Sequence, residues 1–319
     1  MRERLGARNL QELTKADVEG LVTWMLTEGR KRGGKAGTGV GPRSVRLTLG
    51  RLTAALESAF AEGLIVRNVA KLVTPPAYEP AERAAWSAAQ VRTFKGRTSA
   101  TRLFAVWVLA FYGLRRGELL GLRWDDVEIR ADEVRVSIVR TRTLVEGEIV
   151  EGPPKTKSSV RTLPIPDAEL VAALRRLKAT HAADRLACGE GYEAQVGDGY
   201  VACDEYGAPL HPERVSEEFE REGKRAGLPR IVLHGTRHTS ATLLDEEGVP
   251  EADNSMWHGH TLGGRVSATR KHYIHPDVER RLKAAGAVLA AAYRTEHAGP
   301  SKSRTAGWSA NRCKTQALT

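Results

Sequence analysis

Apolar residues recur at helical spacing through the first 74 positions of the chain. One stripe runs from Val18 to Leu26 and follows Thr14 and Asp17, a pairing close to a capping box. A longer stripe begins near Pro42, a residue suited to the first turn of a helix. Its apolar side chains, spaced three or four apart, are Val45, Leu49, Leu52, Leu56 and Phe60. Two amphipathic helices are therefore expected, joined by a basic, glycine-rich loop over 29–41.

A proline-rich segment interrupts this pattern, and residues 75–86 are expected to form a linker. It would join a helical domain at 1–74 to a second domain at 87–294, with a basic, disordered tail at 295–319. Alternating apolar and polar residues predict strands over 134–144 and 160–165. Helical spacing predicts helices over 87–95, 101–112, 117–122, 168–182, 212–226, 236–247 and 278–293. The expected fold class is mainly α with a small β-sheet.

Composition favours a protein with a substantial core and a polyanionic partner. The 319 residues are 41% hydrophobic, carry a formal charge of +10 and have a pI of about 9.7. Residues 1–74 hold 13 basic and 7 acidic residues, residues 294–319 hold 5 and 1, and the middle holds 31 of each. Basic terminal segments on either side of a neutral middle segment suggest DNA-binding regions attached to a catalytic domain. The alternative is solubility charge and a solvated tail.

Targeting and redox signals point to the cytoplasm and away from a membrane. The N-terminus has no apolar signal run, and the most apolar stretch, Leu103 to Leu114, is too short to span a bilayer. Cys188, Cys203 and Cys313 form no close pair, so neither a disulfide framework nor a zinc ribbon is expected.

Tyr273 follows a series of cationic and imidazole groups that suit one chemistry. They are Arg115, Lys155, His234, Arg237 and His260. Arginines donate paired hydrogen bonds to phosphate oxygens, and a tyrosine hydroxyl beside a base can act as a nucleophile. The set therefore suits attack on a phosphodiester without a metal or another cofactor. A lone tyrosine is more often a surface aromatic, so the inference depends on the whole set.

The segments that carry these residues resemble the tyrosine recombinases, the phage integrase family. The matching segments are Gly113–Val127, Pro154–Ile165, His234–Thr242, Gly259-His260 and Tyr273-Ile274-His275. Each box is weak alone, but five in the same order are strong. The first domain, from about Leu5 to Leu72, resembles the helical core-binding domain of that family.

The resemblance implies a helical core-binding domain followed by a mixed α/β catalytic domain. It implies a site-specific recombinase that cuts and rejoins DNA through a 3′-phosphotyrosyl link, without metal or ATP. The implied partners are double-stranded attachment sites, further copies in a homotetramer, and an accessory DNA-bending or directionality factor. Residues expected to contact DNA are Lys35, Arg43, Arg46, Arg51 and Lys157.

The same resemblance assigns roles to the remaining candidates. Tyr273 would attack the phosphate, with His234 as the best candidate to take its proton. Lys155 would protonate the departing 5′-oxygen, although Lys157 could fill this role instead. His260 would hydrogen-bond to the scissile phosphate.

Departures from the family pattern keep two other functions open. The stretch between His260 and Tyr273 is longer than the family commonly shows, and Asp253 and Asn254 stand where apolar residues are usual. His258 also replaces the usual leucine. One alternative is therefore a catalytically impaired DNA-binding protein of recombinase descent. The other is a metal-dependent nuclease, since His234 and His238 are four residues apart, although no His-Glu-x-x-His motif is present.

Overall fold

The computed structural model describes residues 2–31, 33–79, 84–156, 159–193, 199–259 and 276–295. The chain divides into two compact units, Met1–Glu82 and Arg83–Thr319, and each is described by itself. Within the described residues, no helix is long and apolar enough to cross a membrane.

The first unit is helical. It contains α1 (Arg2–Leu5), α2 (Lys15–Thr27) and α3 (Pro42–Ala61), with single 3-10 turns at Leu10–Glu12 and Val69–Leu72. The capping box is confirmed: Asp17 N donates to Thr14 Oγ1 at 3.3 Å, and Thr14 N donates to Asp17 Oδ2 at 3.0 Å. The core contains Val18, Leu21, Leu49, Leu52, Leu56, Val69, Ala70 and Val73. Phe60, expected on the buried face, is 47% exposed, because Ala59 takes the buried position in the last turn of α3.

The second unit contains eight described helices around a small sheet. The helices are α4 (Ala88–Thr98), α5 (Phe104–Phe111), α6 (Arg116–Gly121), α7 (Ala168–Cys188), α8 (Pro212–Arg225), α9 (Gly235–Glu246), α10 (Glu251–His258) and α11 (Pro276–Tyr293). Every residue of α5 is buried, so this helix forms the centre of the core. An aromatic cluster packs beside it, with the rings of Phe94 and Phe219 5.1 Å apart. The sequence pattern did not predict α10, and α7 extends six residues beyond its predicted end.

The strands form two separate antiparallel sheets. The strands are β1 (Val127–Ile129), β2 (Val134–Ile138), β3 (Thr141–Val145), β4 (Glu148–Gly152) and β5 (Arg161–Ile165). β2 lies between β1 and β5 in a three-stranded sheet, with Val136 opposite both Val127 and Leu163. β3 and β4 form a hairpin of their own. The single strand expected over 134–144 is therefore wrong, because the chain leaves the first sheet after Ile138 and starts the hairpin at Thr141.

Two glycines bring helix α6 close to this hairpin. A Cβ atom on Gly117 would lie 2.8 Å from Thr143 Cγ2, and one on Gly121 would lie 3.0 Å from Thr141 Cα. Residues four apart share one face of a helix, so α6 presents a side-chain-free surface to β3. This contact fixes the helix that Arg115 precedes as its N-cap residue.

Helix α11 is anchored at its C-terminal end by cations from α4. Lys95 Nζ donates to the Tyr293 carbonyl at 2.8 Å, and Arg92 Nη1 donates to the Ala292 carbonyl at 2.7 Å. Cations at this end satisfy the last carbonyl groups and the negative end of the helix dipole.

Candidate active site

Arg115 is the N-cap residue of α6 and is paired with a buried carboxylate. Its backbone N–H donates to Glu118 Oε2 at 2.9 Å, and its Nη1 donates to Glu118 Oε1 at 2.7 Å. The Glu118 side chain is 1% exposed, whereas that of Arg115 is 33% exposed. Glu118 therefore fixes the Arg115 guanidinium from the buried side, while the arginine side chain remains partly exposed to solvent.

Arg237 lies in the first turn of α9 and is 3% exposed. Its Nη1 donates to the Gly113 carbonyl at 2.6 Å, and its Nη2 donates to the His258 carbonyl. Burial, followed by the nearby charges of Arg115 and Arg161, lowers the pKa of Arg237 to about 9. The group still remains protonated at neutral pH, and the lowering of its pKa by Arg115 and Arg161 reflects the positive charge gathered here.

The two arginines meet at consecutive backbone carbonyls at the end of α10. Arg237 binds the carbonyl of His258, and Arg115 Nη2 donates to that of Gly259 at 3.2 Å. Gly259 ends the helix with a left-handed φ of 58°, a conformation that favours glycine. The two arginines therefore fix the last two backbone carbonyls before residue 260.

The His258 ring is linked to the backbone of Arg237 through Ser240. It is fully buried, with Nδ1 2.9 Å from the Asn254 carbonyl and Nε2 2.9 Å from Ser240 Oγ. Ser240 Oγ in turn lies 3.0 Å from the Arg237 carbonyl and can donate to it. Gly113 has a φ of 86°, and a Cβ there would lie 2.6 Å from His258 Nε2. Only glycine fits at this position.

Arg161 joins Arg115, Arg237 and Glu118 to form what we call the Glu118 cluster, and the sequence interpretation missed it. It lies at the start of β5, is 6% exposed, and donates from Nη1 and Nη2 to the two oxygens of Glu118 at 3.1 Å each. Burial alone would raise the pKa of Glu118, but hydrogen bonds and charge from Arg161, together with hydrogen bonds from Arg115, hold it below its ordinary value. The site therefore contains three guanidinium groups and one carboxylate, an arrangement that favours an anion.

A signal for Arg161 was present in the sequence. Side chains two apart on a strand share a face, so Arg161 lies on the face of Leu163 and Ile165, which are both buried. An arginine on an inward face requires a buried partner.

The other predicted site residues are less closely tied to the cluster. Lys155 lies exposed in the connection between β4 and β5. His234 is the exposed N-cap residue of α9, and its ring lies 5.1 Å from that of His238. Lys157, His260 and Tyr273 lie outside the described residues.

The predicted DNA contacts of the first unit are exposed. Lys35 lies in the loop before α3, and Arg43, Arg46 and Arg51 lie on that helix. Arg46 Nη1 donates to the Pro76 carbonyl at 3.0 Å, so part of its guanidinium stabilises the segment after the last 3-10 turn of this unit.

The polar departures in α10 have partners. Asp253 forms an ion pair with Arg281 of α11, and Asn254 Nδ2 donates to the Ala241 carbonyl of α9 at 2.9 Å. The helix is regular from Glu251 to His258, so these residues do not disrupt it. Among the residues that the structure describes, no group of three or more His, Cys, Asp or Glu side chains could hold a metal ion.

The mainly helical fold with its small antiparallel sheet is that of the tyrosine recombinase catalytic domain. The chain belongs to the phage integrase family, whose sequence profile matches residues 89–280. It is 33% identical over 231 residues to the "Tyrosine recombinase XerC-like" protein of Caldanaerobacter subterraneus subsp. tengcongensis. The matched residues cover 68% of this chain and 58% of that protein. It is 28% identical over 289 residues to an integrase of Streptomyces ambofaciens, and the matched residues cover 86% of this chain and 69% of that protein. This chain therefore spans a little over half to about two thirds of these relatives.

Solved structures share the fold at lower identity. The Tn1549 transposon integrase in complex with transposon right end DNA has a TM-score of 0.63 and 22% identity, covering 87% of this chain and 86% of that chain. A lambda integrase dimer bound to a COC′ core site has a TM-score of 0.52 and 18% identity, covering 95% of this chain and 88% of that chain.

Proposed function

We propose that this protein is a site-specific DNA recombinase that cuts and rejoins duplex DNA through Tyr273, leaving a 3′-phosphotyrosyl intermediate, without metal or ATP. The observation that carries this proposal is the meeting of Arg115 and Arg237 at the end of α10, with Glu118 as the carboxylate that neutralises part of their charge. Family membership and the DNA-bound integrases of the same fold support it.

The chemical argument concerns charge on the phosphate. Attack on a phosphodiester places additional negative charge on its non-bridging oxygens, and fixed donors lower that barrier because they need no reorganisation. Arg115 binds Glu118 and Gly259, and a guanidinium carries more N–H donors than these bonds use. Arg237 is buried and fixed at two carbonyls, so its orientation is set before DNA arrives.

The remaining roles follow the family resemblance and are part of the proposal. Tyr273 is the nucleophile and His234, one turn before Arg237 at the start of α9, takes its proton. Lys155 or Lys157 donates a proton to the departing 5′-oxygen, as suits a flexible ammonium in a connection between strands. His260, directly after Gly259, hydrogen-bonds to the phosphate.

The proposed assembly is a homotetramer on paired attachment sites, with an accessory DNA-bending or directionality factor, acting in the cytoplasm. Residues 1–74 would serve as the core-binding domain and residues 87–294 as the catalytic domain. Exposed Lys35, Arg43 and Arg51 in the first unit would neutralise DNA phosphates, which makes the affinity fall as salt rises.

Covalent capture tests this function and identifies the DNA site. The full chain is incubated with a pool of random-sequence duplexes in EDTA, denatured with detergent, and the DNA bound to protein is recovered and sequenced. We expect an EDTA-resistant adduct with a common sequence for the wild type, and none for Tyr273→Phe. Tyr78→Phe is a matched control, because Tyr78 is an exposed tyrosine of the first unit.

Other outcomes would identify the alternative functions. Sequence-specific binding without an adduct would show a DNA-binding protein of recombinase descent. Cleavage that EDTA abolishes would show a metal-dependent nuclease, and an adduct retained by Tyr273→Phe would exclude Tyr273 as the nucleophile.

A further inference from the structure

Arg161 joins three elements of the site through one buried guanidinium. Its Nε donates to the Trp257 carbonyl of α10 at 2.8 Å, and Nη1 and Nη2 donate to Glu118 of α6. Nη1 also donates to the Ser159 carbonyl at 3.0 Å, just before β5. All three nitrogens are therefore bonded within the protein, and the side chain is only 6% exposed.

These bonds place Arg161 behind Arg115. Glu118 accepts from the backbone and side chain of Arg115 and from both terminal nitrogens of Arg161. Without Arg161, the buried carboxylate would have Arg115 as its one cationic partner in the described cluster. It would then draw Arg115 inward, away from a phosphate.

The bond to Trp257 acts on the same point from α10. Trp257 precedes His258 and Gly259, whose carbonyls hold Arg237 and Arg115. The Trp257 side chain is itself fixed, since its Nε1 donates to the Tyr112 carbonyl at 2.8 Å. Arg161 thus fixes the end of α10 directly and fixes the Arg115 guanidinium through Glu118, so the two keep one position relative to each other.

We infer that Arg161 is a positioning residue of the recombination reaction: through Glu118 and the Trp257 carbonyl it sets the two arginines that would bind the scissile phosphate. This inference rests on the proposed function. Because Arg161 is 6% exposed and its three nitrogens are bonded within the protein, its contribution to rate would pass through Arg115 and Arg237 and depend on the charge of the phosphate.

The test compares two substrates that differ in that charge. One is the captured duplex with its natural phosphate at the cut position, and the other has a neutral methylphosphonate there. Arg161→Lys keeps the charge but cannot bridge both Glu118 oxygens. We expect adduct formation by the full chain to slow by roughly 10- to 100-fold on the phosphate, the size seen when a group that orients a metal ligand is lost. On the methylphosphonate the loss should shrink several-fold, as it should for Arg115→Lys.

Arg102→Lys is the matched control for a purely structural loss. Arg102 is also partly buried and binds Asp184 and the carbonyls of Cys203 and Asp204, and within the described residues it shares no hydrogen-bond partner with the Glu118 cluster. Any loss it causes should be equal on both substrates. Glu118→Gln gives a second route if Arg161→Lys fails to fold, because it weakens the same link and should show the same substrate dependence.

Each outcome separates this inference from the proposed function. An active wild type beside an Arg161→Lys variant that is unchanged, or equally slow on both substrates, would refute the positioning role alone. A wild type that forms no adduct would refute the proposed function and, with it, the role of Arg161.

Discussion

The buried imidazole of His181 should make the second unit sensitive to acid. His181 lies on α7, is 7% exposed, and its Nδ1 accepts from Trp124 Nε1 at 3.1 Å. Cys203 Sγ lies 3.5 Å from its other nitrogen. A proton on Nδ1 would break the bond to Trp124 and place a charge in the core. Burial, and then the charge of Arg102, lower the pKa of His181 from 6.5 to about 4, although Asp184 opposes this shift.

This pKa shift sets both the sign and the size of the effect. The unfolded chain takes up a proton near pH 6.5 and the folded chain only near pH 4, so stability is present above pH 6.5 and is lost as pH falls. Each pKa unit is worth about 1.4 kcal/mol, so the full contribution is roughly 3 kcal/mol. Most of it should be lost between about pH 6.5 and pH 4.5.

Urea unfolding at a series of pH values measures this contribution. His181→Gln removes the titrating group, while its amide oxygen can still accept from Trp124. Carboxylates contribute acid sensitivity to both proteins, so the difference between the two curves isolates His181. We expect the free energy of unfolding to fall by roughly 2.5 kcal/mol more in the wild type than in His181→Gln between about pH 7.5 and pH 4.5. Parallel curves would refute the assignment of a buried neutral histidine.

Three further substitutions test the fold and the site. Gly113→Ala should cost roughly 1–3 kcal/mol in urea unfolding, because φ is 86° and the new Cβ would meet His258; no loss would exclude this close approach. Thr14→Ala should cost about 1 kcal/mol, since it removes the cap of α2, and an unchanged unfolding midpoint would contradict the role of the capping box with Asp17. Arg237→Lys should slow adduct formation by roughly 10²–10³-fold while the melting temperature shows a folded protein; activity within a few-fold of wild type would remove it from the site.

The sequence predicted best those features that depend on local pattern. The capping pair Thr14 and Asp17 and the first turn at Pro42 are set by residues near in the chain, and both form as expected. The β3–β4 hairpin was missed because the single strand expected over 134–144 ran across the point where the alternation of Val134, Val136 and Ile138 stops. Its signal is the turn instead: Glu146 and Gly147 have φ values of 52° and 94°, which suit a two-residue hairpin turn.

The site was predictable only in part for a different reason. Arg115 and Arg237 stand in boxes with a recognisable order, so their residue types pointed to them. The contacts that orient them come from distant positions: Arg161 is 43 residues from Glu118, and His258 is 21 residues from Arg237. Such pairings depend on how β5, α6, α9 and α10 pack against one another, and this packing cannot be predicted from a single sequence.

The departures of α10 from the family pattern fit together once the packing is seen. The Asn254 side chain donates to α9, and the Asn254 backbone carbonyl accepts from His258 Nδ1. The other nitrogen of the His258 ring lies 2.9 Å from Ser240 Oγ on α9. Asp253 binds Arg281 on α11. A leucine at 258 would leave Ser240 without its partner ring, and apolar residues at 253 and 254 would leave Arg281 and the Ala241 carbonyl without theirs. These polar residues therefore act as a set that holds α10 between α9 and α11, and with α10 held, the carbonyls of His258 and Gly259 stay where both arginines can bind them. This arrangement argues that the unusual residues before Gly259 preserve the anion site.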